Sequence, residues 1–206
     1  MDYHKERFED YSLMVYKNGK LLALLTANIK NNIIYSHQGL SYGGVVYIKD
    51  VKFKDSLAVF ESILKYLKKS GHQKLYLNPI PKFYNSKLSE ESSYFLFILE
   101  AKLRRRDTLS VIRYSDGLSL SKSRKEGISR AQKKGLEIKE VDEFDEFWND
   151  ILIPNLKLKY KTKPVHSLQE ITKLKSHFPD NIRQFNVYKN NEIVAGTTIF
   201  ESSRGA

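Results

Sequence analysis

Val187-Tyr188-Lys189-Asn190-Asn191-Glu192-Ile193-Val194-Ala195-Gly196-Thr197 repeats an earlier pattern, Val15-Tyr16-Lys17-Asn18-Gly19-Lys20-Leu21-Leu22-Ala23-Leu24-Leu25. Val, Tyr, Lys, Asn and Ala recur at the same offsets, and Thr26 corresponds to Thr198. In the first copy, Ser12 to Tyr16 and Leu21 to Ala27 are β-prone runs around Lys17-Asn18-Gly19-Lys20, where Asn-Gly supplies the positive φ a tight turn demands. A repeat at so long a period indicates a duplicated domain rather than a solenoid, whose units are shorter. Chance matching is the alternative, because turns of this kind favour Asn anyway.

Working outward, the first hairpin is followed by a strand, Ile33 to Ser36, and a loop from His37 to Gly44. Leu57, Phe60, Ile63, Leu64 and Leu67 recur at three and four, which predicts a helix over Ser56 to Lys69, closed by Gly71. Lys74 to Leu77 reads as a short buried strand ended by Asn78-Pro79-Ile80-Pro81. A helix is expected over Glu90 to Leu103 and a strand over Thr108 to Tyr114. Ser123 with Glu126 forms a capping-box signature for a basic helix that runs to Gly135. The strand Leu136 to Val141 and helices Phe144 to Leu158 and Leu168 to His177 then lead into the second hairpin, with Ser167 and Glu170 as another capping box.

The fold class is therefore α/β with a mixed sheet. After the first hairpin the chain continues through strand, helix, strand, helix and strand, whereas after the second it stops at Ala206. The expectation is a first domain over 1–118 that lacks its opening helices. Residues 119–206 would form the N-terminal part of a second copy, cut short.

Composition narrows the class. A 41% hydrophobic and 12% aromatic content supplies a core, which excludes global disorder. The absence of Cys excludes a disulfide scaffold, a Cys-ligated metal and a Cys nucleophile. No apolar run approaches the ~20 residues that span a bilayer, and the N-terminus lacks the apolar core of a signal peptide, so a cytoplasmic location is expected. Of the net charge of +11, the stretch Lys102 to Lys139 carries twelve Lys or Arg against four Asp or Glu. Such density fits a polyanionic partner or, equally, a solvated surface.

Several stretches resemble the FemAB-like subgroup of the GNAT acyltransferase fold, in which two such domains stand in tandem. They are Tyr3-His4 through Asp10, Ser36-His37-Gln38-Gly39 with Ser41-Tyr42-Gly43-Gly44, and Pro79-x-Pro81-x-x-Tyr84. Arg104-Arg105-Arg106-Asp107, Ser123-Arg124 through Ile128-x-Arg130-Ala131 with Lys134-Gly135, Pro164-Val165-His166-Ser167 and Val194-Ala195-Gly196-Thr197 complete the series. The resemblance implies transfer of an acyl or aminoacyl group from acyl-CoA or an aminoacyl-tRNA to a small-molecule or peptide-like amine, such as a cell-envelope precursor. The glycine-rich loop that binds the CoA pyrophosphate at a helix N-terminus is missing, so no donor is expected to bind tightly to this chain. The rival readings are a polyanion-binding module without catalysis and a truncated, inactive remnant of the fold.

The candidate site residues follow. Tyr42, Gly43 and Gly44 lie in a loop that displays polar groups beside a strand, where glycines permit close backbone approach. His37 has the proton affinity of a general base but no partner visible in sequence, and a hydrogen-bonding role within the loop competes. Tyr84 would line a pocket or, like Tyr94, fill core. Arg124, Arg130 and Lys134 would bind phosphates of tRNA or a nucleotide-linked precursor, with an exposed linker helix as the alternative. Gly127 within that helix suggests tight packing or ligand approach. No spacing of His with carboxylates suggests a metal.

Overall fold

The strands of the first half are short and follow the turns closely. The computed structural model describes residues 6–87, 89–112, 117 and 119–202. It begins with β1 (Glu9–Asp10), β2 (Leu13–Lys17), β3 (Lys20–Thr26), β4 (Asn28–Lys30), β5 (Ile33–Tyr35) and β6 (Gly44–Tyr47). Helix α1 (Phe53–Lys69), β7 (Leu75–Tyr76) and α2 (Glu91–Ile98) follow. Two sheets result, in the orders β2-β3-β6 and β1-β4-β5-β7. All pairs are antiparallel except β5 with β7, where α1 makes the crossover that a parallel pair requires.

These elements belong to one compact unit, Met1–Arg106, and Asp107–Ala206 form a second. The second holds α3 (Lys122–Lys133), β8 (Leu136–Val141) and α4, in which π-helical turns Phe147–Leu152 and Leu156–Tyr160 flank the α turn Ile153–Asn155. It ends with α5 (Leu168–His177), β9 (Ile182–Lys189) and β10 (Glu192–Phe200). Its sheet is antiparallel throughout, in the order β10-β9-β8. The protein is thus mixed α/β. Among the described residues no helix is long and apolar enough to cross a membrane.

Both hairpins turn through two residues with positive φ, Asn18 (49°) and Gly19 (74°) in one, Asn190 (51°) and Asn191 (65°) in the other. Their registers agree pair for pair. Leu13↔Leu25, Met14↔Leu24, Val15↔Ala23 and Tyr16↔Leu21 in the first become Phe185↔Thr197, Asn186↔Gly196, Val187↔Ala195 and Tyr188↔Ile193 in the second. Each carries a bulge at the same step, with Leu22 and Val194 as the extra residues.

In the first unit, Val59, Ile63 and Leu67 form a buried stripe on α1 against Ala23, Leu25 and Ala27 of the sheet. Side chains of that kind each stabilise by about 1.5–3 kcal/mol when fully buried. Phe95 is the buried anchor of α2, its ring 5.3 Å from Phe60. In the second unit, Phe144, Phe147, Trp148, Ile171 and Ile182 make the core. Gly196 is required there, because a Cβ at that position would stand 2.5 Å from Phe147 Cδ2.

Three sequence expectations are corrected. Residues 108–112 form no strand, although Thr108, Val111 and Ile112 are β-prone. A strand needs a partner edge, and none is paired with them; Arg113 and Tyr114 lie outside the described residues. Helix α2 stops at Ile98, where Glu100 turns to φ 52°. Ser123 is not the cap of α3. Ser121, in extended conformation, holds that position without a side-chain bond to a helix N–H, its hydroxyl instead meeting that of Ser123 inside the first turn at 3.2 Å. At α5, by contrast, Ser167 and Glu170 form the reciprocal capping box.

Candidate functional site

In the first unit, β6 and the chain beyond β7 part company. Gly43 still bridges to Pro79 in parallel fashion, and Gly43 N–H donates to the Asn78 carbonyl at 2.7 Å. Beyond this point a cleft of about 530 Å³ opens. Gly44 to Lys49 form one wall, Leu77 to Asn85 much of the other, and Ser56, Phe60 and the start of α2 close the end.

Tyr47 is one of the polar groups that line the cleft. It sits on β6 with its hydroxyl 3.5 Å from the Ser56 carbonyl of α1. Burial pushes its phenol up to about 12, opposed by a hydrogen bond with Ser92 and reinforced by the charge of Glu91. It therefore stays protonated across the neutral range and serves as a hydrogen-bond donor, not a base. Glu91 accepts from Ser89 Oγ, Lys82 pairs with Glu90, and Lys87 pairs with Asp50 around the rim. Tyr47, Glu91 and Ser92 were not singled out from sequence. The available signal was the polar run Ser89-Glu90-Glu91-Ser92-Ser93 at a helix start.

Four of the sequence candidates meet here. Gly43, Gly44 and Tyr84 line the cleft, and Tyr42 stands against Tyr84 with ring centroids 6.1 Å apart. The glycines serve the fold itself. A Cβ on Gly43 would meet the Ser36 carbonyl oxygen at 2.1 Å, and Gly44 adopts φ 89°. The loop is held by buried side chains: Asn28 Oδ1 accepts from Gln38 N–H at 2.8 Å, and Ser36 Oγ accepts from Asn78 N–H at 2.8 Å. His37 lies outside the cleft wall, buried, with φ 56° and its Nδ1 facing Gly39 N–H at 3.2 Å. Desolvation lowers its proton affinity, with the Asp10 carboxylate acting against that.

Of the basic candidates, Arg124 and Arg130 lie on α3 of the second unit and Lys134 caps its C-terminus; no residue of that helix is buried. No ion pair joins Arg124, Arg130 or Lys134 to another described residue. At about 100° per residue, Arg130 and Lys134 fall about 40° apart while Arg124 points about 120° away from Arg130. One helix face thus offers Arg130 and Lys134 together but not Arg124. Gly127 has open space around it rather than a close neighbour.

A second cleft, of about 310 Å³, lies in the second unit beside Glu143, Asp145, Glu146, Asn186 and Tyr188. A chain of hydrogen bonds leads to it. Thr198 Oγ1 donates to Gln184 Oε1 (2.6 Å), Gln184 Nε2 to Asn186 Oδ1 (2.7 Å), Asn186 Nδ2 to Tyr188 OH (3.1 Å), and Tyr188 OH to Glu146. Every polar group in that row has a partner, so it reads as interior satisfaction rather than a ligand site. Among the described residues no cluster of three His, Asp or Glu is placed to hold a metal. Compared with known proteins, the chain matches no family model and no curated sequence.

Proposed function

We propose that the chain is a FemAB-like, GNAT-fold transferase that moves an acyl or aminoacyl group from an activated donor to an amine acceptor, with the Tyr47 cleft as its reaction site. The observation that carries this reading is the second hairpin, which reproduces the first in turn, register and bulge. Agreement at the bulge goes beyond what two Asn turns require, and it supports duplication of one domain. The order strand-helix-helix-hairpin in the second unit, and in the first the α1 crossover between the parallel strands β5 and β7 downstream of the hairpin, support that reading. The cleft opens where the strands part, a usual place for ligands in α/β sheets.

The chemistry asked of the cleft is modest. The amine nitrogen attacks the donor carbonyl carbon, a C–N bond forms, and the bond to the thiolate or ribose oxygen breaks. Tyr47 donates a hydrogen bond to the carbonyl oxygen as negative charge develops there. Glu91 accepts the proton that the amine nitrogen loses as the C–N bond forms and passes it to the leaving thiolate or ribose oxygen. Of the two donors, aminoacyl-tRNA fits better than acyl-CoA. The turn into α1, Ile48 to Lys52, contains no glycine, and Asp55 already places a carboxylate in the first helical turn, where a pyrophosphate would have to sit. The exposed cations of α3, considered within the second unit alone, are of the kind that contact RNA phosphates.

The reading is tested by incubating the chain with labelled aminoacyl-tRNA or acetyl-CoA and a panel of primary amines. Amide product from the tRNA ester is expected, reduced roughly 100-fold by Tyr47→Phe, the size of effect seen on removing one oxyanion donor. If neither donor yields an amide while RNA still binds, the polyanion-binding reading stands in its place. That second reading is favoured by one observation, the exposed cations of α3, which form no ion pair among the described residues.

A further inference from the structure

The equivalence of the two hairpins allows one to be used as a template for the other. In the second unit, the face that carries Asn186, Tyr188 and Gly196 lies beneath helix α4: Phe147 seats on Gly196, and Tyr188 OH donates to Glu146. The same face of the first unit carries Met14, Tyr16 and Leu24, the register equivalents of those residues. Leu24 also stands opposite Val46, so Met14, Leu24 and Val46 form a row across β2, β3 and β6. Among the described residues of the first unit, none packs over this row. Met14 is 63% exposed, Tyr16 57%, Val46 42%, and Ile48 beyond it 45%. Helix α1 packs on the opposite face, against Ala23 and Leu25, and Tyr47, the cross-strand partner of Ala23, lies on that side too. Among the described residues the outer edge of β2 is likewise without a strand, whereas its equivalent β9 carries β8 from Leu136↔Lys189 to Val141↔Gln184.

We propose that this face and edge of the first unit form a docking surface for an acidic strand–helix segment of another polypeptide, seated as β8 and α4 are seated in the second unit. Charge selects the occupant. Residues 1–106 carry eighteen Lys or Arg against ten Asp or Glu, and Lys20 and Lys49 adjoin the rim at Leu21 and Ile48. A like-charged copy of the same unit is repelled from this face. The template itself is acidic: residues 136–160 hold seven Asp or Glu against three Lys. Lys17, which would otherwise guard the edge strand, is already held by Asp55 at 2.6 Å. The apolar row supplies contact area and the basic rim supplies orientation, as in helix-in-groove recognition.

The probe is a labelled peptide of residues 136–160, titrated into the whole chain and followed by fluorescence anisotropy. Saturable binding is expected, weakened roughly tenfold or more by Met14→Lys combined with Val46→Lys. Lys is chosen because it separates the two forces. Attraction by charge alone would strengthen with the added cations, while apolar docking is lost. Both positions are exposed, so the variant is expected to keep the parent's melting curve, and that curve is recorded as a control on folding. Absence of saturable binding overturns the proposal, as does binding that is unchanged or tighter in the variant. Unchanged binding would mean that the peptide displaces β8 and α4 in the second unit. Sedimentation of the chain alone supplies a further check: a dimer dissolved by the same variant would show that the occupant is a second copy, which also overturns it.

Discussion

Val15↔Ala23 and Val187↔Ala195 hold the same place in two hairpins whose backbones agree pair for pair, yet the hairpins bury opposite faces. The first turns Leu13, Val15, Ala23 and Leu25 toward α1, while the second buries Ile182, Gln184 and Asn186 and seats Phe147 on Gly196. Register is a local property, set by two positive-φ residues and one bulge. Which face becomes interior is not local. It is decided by whether a helix follows the hairpin, as α1 does, or precedes it, as α4 and α5 do. The same backbone therefore requires an apolar row in one unit and a hydrogen-bonded polar row in the other.

The largest effect that can break this comparison is an exchange at its most different position. Leu24 and Gly196 are register equivalents, and only the second lies under an aromatic ring. Gly196→Leu is expected to destabilise the second unit by about 3 kcal/mol, the upper end of overpacking costs. Urea unfolding would show it as a lowered midpoint, with partial recovery when Phe147→Ala is added. An unchanged midpoint for Gly196→Leu would mean that α4 does not seat on β10 as described.

Next in size is the polar row. Asn186→Leu leaves Gln184 and Tyr188 short of partners inside the second unit, at a cost of about 1–3 kcal/mol. The equivalent change in the other hairpin, Met14→Asn, falls on an exposed side chain and is expected to stay within about 0.5 kcal/mol. Equal losses from both would show that the two faces are not differently covered.

Much of this architecture was legible in the sequence, and the reason is the range of the forces involved. The hairpins, α1 and the Ser167–Glu170 cap are encoded by neighbours within one turn, so Asn-Gly, the spacing of Phe60, Ile63 and Leu67, and the Ser-x-x-Glu pattern sufficed. At α3 two serines competed, and the pattern Ser123-Glu126 named the wrong one because Ser121 opens the helix earlier. The β-prone run at Thr108 to Ile112 misled for the opposite reason: propensity supplies no partner strand. Of the candidate site, Gly43, Gly44 and Tyr84 were legible as loop residues around a strand end. Tyr47 was not, because its alternation with Val45 looks like that of any half-buried strand, and only the arrival of Ser56 and the start of α2 gives its hydroxyl a role.

That hydroxyl makes a prediction of its own, restricted to the first hairpin's buried side. Because burial raises Tyr47 from 10.0 to about 12, the unfolded chain releases this proton at lower pH than the folded one. The contribution is fully present below pH 10.0 and is lost as pH rises toward about 12. Alkaline unfolding should therefore be less steep in Tyr47→Phe than in the parent chain over that window. Curves that coincide would place the phenol in water rather than in the cleft.

The smallest expected effect lies in the turns, and it tests whether the two hairpins are alike where they should be. Asn18-Gly19 and Asn190-Asn191 both run through left-handed conformations, but the second places a side chain where glycine stands in the first, at φ 65° against 74°. For a non-glycine residue this conformation costs about 1 kcal/mol, and Asn, which tolerates it best, bears less than the full amount. Asn191→Gly is therefore expected to stabilise the second unit by about 0.5 kcal/mol, since the gain is partly offset by the greater freedom of glycine in the unfolded chain. The reverse change, Gly19→Asn, should destabilise the first unit by a similar amount, because a Cβ there meets no neighbouring atom and only the backbone term remains. Opposite signs of similar size in urea unfolding are the signature of one turn used twice. Destabilisation by Asn191→Gly would mean that the Asn191 side chain holds the turn itself, and the equivalence would end at the strands.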